Sequence, residues 1–120
     1  MKSCEWITHR NVRILYMKIA SQTTEELRER IESIKPLVVK EPLNSILCIA
    51  DVKEGKFNTE MTQQLKDFTK HNEPYIKMTT LVGVEGLKKV IYNGVLLFTK
   101  RKNLVLKDTK EEALDYLAGL

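Results

Sequence analysis

The sequence is poor in the residues that staple, kink or anchor a chain. Its 120 residues include only two cysteines, two histidines, three prolines, five glycines and one tryptophan. Cys4 and Cys48 are far apart and make no CxxC pair, so no disulfide framework is expected. His9 and His71 are single and unclustered, so no metal-ligand spacing exists and no bound metal is expected. No apolar run approaches the roughly 18 residues of a membrane span. The N-terminus also lacks the apolar core of a secretory signal, so a cytoplasmic, reducing setting is expected. Neither sign of charge dominates: twenty Lys and Arg stand among sixteen Asp and Glu, for a net charge of +4. Such a mildly basic surface is what solubility requires and does not call for a nucleic acid as partner.

What is present is a globular composition, 42% hydrophobic and 30% charged, of a length that suits one domain over 1–120. Glu5 to His9 and Val12 to Ile19 read as two strands joined at Arg10-Asn11. In the second, Val12, Ile14 and Tyr16 share one face and Leu15, Met17 and Ile19 the other, which predicts a central strand covered on both sides. Thr23 with Glu26 forms a capping box ahead of Leu27, Ile31, Ile34 and Val38 at helical spacing, and Pro36 should end or kink that helix. Ile46 to Ala50 is a continuous apolar run closed by Asp51, the signature of a buried parallel strand, with Cys48 as an inert buried thiol. Asn58 should cap a helix carrying Met61, Leu65 and Phe68. Tyr75 to Val82 reads as a strand closed by Gly83, Glu85 to Phe98 as a helix, and Asn103 to Leu106 as a last short strand. Thr109 with Glu112 opens a C-terminal helix with Ala113, Leu114 and Leu117 inward. The predicted architecture is α/β: a mixed, mostly parallel sheet of four to five strands with about four helices, in the order β-β-α-β-α-β-α-β-α.

This order, with Asp51 closing the third strand, resembles the STAS domain, the SpoIIAA-like fold of bacterial anti-sigma-factor antagonists. The resemblance is carried by Ser45 to Val52, Phe57-Asn58, Lys70 to Lys77, Val82 to Leu87 and Glu111 to Leu117, and so covers nearly the whole chain. A subgroup of that family with lipid-binding character is the nearer likeness. The resemblance implies the fold and a regulatory protein-binding role. Antagonists of this kind carry a phosphorylatable serine where the third strand turns into the next helix. Residues 51–59 contain no serine, and Thr59 is the one hydroxyl at the helix start, so the usual phospho-switch is not expected.

Ligands of open α/β sheets sit beyond the carboxyl ends of the strands, which points to the loops after Asp51 and Gly83. Asn58 and Thr59 begin a helix nearby, where free amides attract anions. Asp51 tying its own loop and Asn58 capping its own helix account for each residue taken alone. The helix over 85–98 carries Tyr92, Leu96 and Leu97 off its inward stripe, with Lys88, Lys89, Lys100, Arg101 and Lys102 beside them. Apolar surface flanked by basic charge suits an acidic protein partner or an anionic lipid, and a wide stripe packed beneath the last strand accounts for it equally. Gly83-Val84-Glu85-Gly86 has the outline of an RNA-clamping GxxG loop, but the acid would repel phosphate and a strand-to-helix turn explains the glycines. No catalytic set appears. The expectation is a non-enzymatic module without cofactor that docks a protein partner through its second and third helices. The alternative is a small-molecule or lipid site between those helices, with Phe57 in its lining; a second copy of the chain is a further candidate partner.

Overall fold

The computed structural model describes residues 3–56, 58–84 and 103–120. Alternating side chains over Cys4–His9 (β1) and Val12–Lys18 (β2) build an antiparallel hairpin, from Cys4 opposite Met17 to His9 opposite Val12. Arg10 and Asn11 join the strands at φ 52° and 66°. Two left-handed residues in a two-residue loop match the twist of the strands they connect.

Thr23 Oγ1 accepts the Glu26 N–H at 3.1 Å and starts α1 over Thr24–Val38. Pro36 does not end this helix. It lies in the final turn, where its missing N–H removes one bond only, and the helix closes two residues later with Val39 N–H on the Lys35 carbonyl. β3 is Ile46–Asp51, and α2 is Thr59–Asn72. A single 3₁₀ turn over Glu73–Tyr75 contains Pro74, so the strand expected from Tyr75 begins one residue later, as β4 over Ile76–Val82. β5 is Leu104–Lys107, one residue beyond the expected 103–106, and α3 is Lys110–Ala118, with Thr109 Oγ1 capping the Glu112 N–H at 3.1 Å. Asn103 stands just outside β5 and binds across the sheet, its Nδ2 donating to the carbonyls of Ile76 (3.2 Å) and Lys77 (3.3 Å). These acceptors lie where the β3–β4 register shifts by one residue.

The strands form one mixed sheet in the order β1-β2-β3-β4-β5, parallel from β2 onward. The described residues contain three α-helices; the helix expected over 85–98 lies outside them. α1 and α2 cover one face with Leu27, Ile31, Ile34, Val38, Met61, Leu65 and Phe68, packed on Leu15, Met17, Cys48 and Ala50. α3 covers the other with Ala113 and Leu117 against Ile14, Ile49 and Val82. β2 is thus buried on both faces, as its pattern predicts, and Cys48 is fully buried. No helix among the described residues is long and apolar enough to cross a membrane.

Candidate functional site at the carboxyl edge of the sheet

Parallel strands deliver the ends of β2, β3 and β4 to one edge, and Asp51 stands at its middle. The Asp51 carbonyl accepts from Ile19 N–H (2.9 Å) and Ala20 N–H (3.0 Å), which fastens the exit of β2 to the exit of β3. Its carboxylate is also engaged at both oxygens. Oδ2 accepts from the Tyr16 hydroxyl at 2.5 Å, and Oδ1 accepts from the Lys53 N–H at 3.0 Å. Burial first, then the hydrogen bond to Asp51 and its charge, and more weakly Glu5 and Glu111, push the Tyr16 phenol well above its ordinary value of 10. Tyr16 therefore stays protonated and acts as a fixed donor to the aspartate. The Lys110 ammonium sits 4.2 Å from the centre of the Tyr16 ring, a cation–π contact that ties the start of α3 to the same edge.

Gly83 has φ 85°, and a Cβ added there would lie 2.5 to 2.7 Å from Lys53 backbone and Cβ atoms. Only glycine meets both conditions, so the loops after β3 and β4 are pressed together at this residue. Val52 N–H to the Val82 carbonyl (2.9 Å) makes the same join. On the other flank Gln22 Nε2 donates to the Glu54 carbonyl (3.0 Å) and Lys56 N–H to the Ser21 carbonyl (2.8 Å). Glu54 takes the left-handed φ of 65° that lets its loop turn back.

Asn58 caps α2, its Oδ1 accepting from the Met61 N–H at 2.8 Å, and Thr59 is exposed in the first turn. The sequence-derived candidates thus separate into groups. Asp51 and Gly83 meet across Lys53. Asn58 and Thr59 open the helix that follows the Asp51 loop. Phe57, Lys88, Tyr92, Leu96, Leu97 and Arg101 lie outside the described residues, as does the pocket expected between α2 and the helix over 85–98.

Tyr16 and Lys110 were not among those candidates. The signal that reaches Tyr16 is parity: Tyr16 and Asp51 face the same way on adjacent strands, which requires the β2–β3 pairing to be known. A cleft formed by described residues lies elsewhere, between the start of β1 and α1. It has a volume of about 630 Å³ and is lined by Ser3, Cys4, Glu26, Glu29, Arg30, Ser33 and Leu37. Arg30 is buried at its wall and donates to the Lys18 carbonyl and to Glu26, both at 3.3 Å. Burial pushes the Cys4 thiol up, which keeps it protonated and a poor nucleophile. Among the described residues, no three His, Cys, Asp or Glu side chains gather as metal ligands.

No protein-family model matches this chain, and no curated protein matches it in sequence.

Proposed function

We propose that this chain is a non-catalytic regulatory binding module of STAS-like plan, acting in the cytoplasm, that docks a protein partner beside the carboxyl edge of its sheet. The observation that carries this reading is how the edge spends its polar groups. Asp51 is engaged by Tyr16 and Lys53, and Asn58 by the helix it caps. Groups committed to one another make a firm surface of fixed shape, which favours recognition over proton transfer or nucleophilic attack. Lys53, Lys56, Thr59 and Glu60 are the exposed side chains that such a surface presents. With Asn58 as the cap and no serine in residues 51–59, binding is constitutive and not gated by phosphate on Thr59.

The test compares capture of cellular proteins by wild type, Lys53→Glu, Thr59→Ala, Thr59→Glu and, at the opposite end of α1, Lys40→Glu. A partner held by wild type, by Lys40→Glu and by both Thr59 variants, but released by Lys53→Glu, is the expected result. Release by Thr59→Glu alone, with phosphothreonine at this position in cells, would restore the phospho-switch. Native mass spectrometry of the purified chain addresses the alternative: a stoichiometric small molecule carried through purification would favour a ligand-binding domain.

A further inference from the structure

β1 is an edge strand, and among the described residues β2 is its one neighbour in the sheet. The Ser3 carbonyl accepts from Lys18 N–H at 2.7 Å, so Ser3, Glu5, Ile7 and His9 direct their backbone groups toward β2. The alternation of an antiparallel ladder then turns those of Cys4, Trp6 and Thr8 outward. Edge strands are usually guarded by lysine, proline or a bulge. The β1 sequence Cys-Glu-Trp-Ile-Thr-His has neither residue, and its ladder with β2 runs unbroken from Cys4 to His9.

Its side chains are arranged for pairing with a copy of itself. Cys4 and Trp6 pack on the face covered by α1 and α2. There the Arg13 guanidinium lies 3.5 Å from the centre of the Trp6 ring and is anchored to Glu41 at 2.7 Å, which fixes an aromatic–arginine platform beside the edge. Glu5, Ile7 and His9 alternate to the α3 face, where His9 Nε2 bonds Asp115 at 2.8 Å. An antiparallel pairing about a two-fold axis normal to the sheet keeps each face continuous. Centred on Ile7, it sets Glu5 of each copy opposite His9 of the other. Centred on Glu5, it would set two carboxylates against each other.

We propose that two copies of this chain pair antiparallel along β1, centred on Ile7, and join their sheets into one. Trp6 and Thr8 of each copy exchange N–H···O=C bonds with Thr8 and Trp6 of the other. Glu5 and His9 meet in the non-hydrogen-bonded pairs, where side chains of neighbouring strands approach most closely. With both ring nitrogens protonated, His9 Nε2–H donates to Asp115 and its Nδ1–H is left to donate to Glu5 of the second copy.

Sedimentation equilibrium over a concentration series tests this on wild type, Glu5→Lys and Thr8→Pro. The Thr8 N–H faces away from β2, so proline there deletes an intermolecular donor and keeps the monomer's own ladder. Circular dichroism checks that each variant is folded, and Glu5→Lys leaves the backbone untouched should Thr8→Pro unfold. The expected result is a reversible wild-type dimer, weakened at least about tenfold by either change. Trp6, the single tryptophan, should shift its emission as the dimer forms, and the amides of Trp6 and Thr8 should gain exchange protection. A wild-type monomer at every concentration would overturn the proposal. So would a dimer unmoved by Glu5→Lys whose β1 amides exchange as fast as in the dilute protein.

Discussion

On one face of the sheet, α1 and α2 bury a large apolar layer, with Ile34 and Val38 fully excluded from water above Leu15 and Cys48 and with Arg30 and Thr79 buried beside it. On the other face, α3 covers a smaller cluster around Ile14, Ile49 and Leu117, edged by polar contacts: Tyr16 with Asp51, Lys110 over Tyr16 and Lys107 over Tyr116. Thr80, also on this face, is fully buried, and its hydroxyl has no hydrogen-bond partner among the described residues. The difference follows from how the helices are held. α1 and α2 are crossovers of 15 and 14 residues, each held between two strands, whereas α3 has nine residues. The longer helices present more apolar surface to the sheet, so hydrophobic burial carries most of their packing. A nine-residue helix buries less apolar surface and gains from polar anchors that fix its position.

The sharpest way to break this comparison is to cut a cavity on each side. Ile34→Ala on α1 should cost about 3–5 kcal/mol, and Leu117→Ala on α3 about 2–3 kcal/mol, because the shorter helix can shift to close on the space. Urea unfolding measures both, and a larger loss for Leu117→Ala would invert the ranking. Next in size is the polar anchor. Tyr16→Phe should cost about 1 kcal/mol near neutral pH. The folded-state pKa of Tyr16 is raised, so its contribution is complete below the ordinary value of 10 and is lost as pH rises above it. The stability gap between wild type and Tyr16→Phe should therefore narrow in alkali, and a gap that stays constant there would refute the half-buried Tyr16–Asp51 bond. The smallest effect belongs to the rim of α3. The hydrogen bond from His9, with Arg10 beside it, holds the Asp115 carboxyl below its ordinary 3.8. What it contributes is present above that value and fades as pH falls through the lowered pKa. Asp115→Asn should speed exchange at the β1–β2 turn while leaving β3 amides unchanged. Equal speeding in β3 or no change at the turn would remove α3's tether to the hairpin.

Local elements were legible because their signals are local. Thr23, Asn58 and Thr109 each cap the helix that their spacing predicts, since the amide a cap satisfies lies three residues away. The double apolar stripe of β2 announced burial on both faces. Pro36 misled, because proline forbids a backbone bond without saying whether the helix has another turn to complete. At the candidate site, Gly83 was readable as a turn glycine, but its need to admit the Lys53 backbone was not.

By itself, then, the sequence determined the kind and order of the described elements, the burial of Cys48 and the place of Asp51 at a strand end. Each of these follows from periodicity or from groups within a few residues of one another. Only the tertiary structure decided that β2 lies beside β3, that the Tyr16 hydroxyl therefore reaches a carboxylate 35 residues away, and that β1 is left at the rim with its outer backbone groups unpaired by β2. Strand order is a choice among pairings of similar local quality. It is settled by which arrangement buries both faces of the most apolar strands at once, and no window of sequence contains that sum.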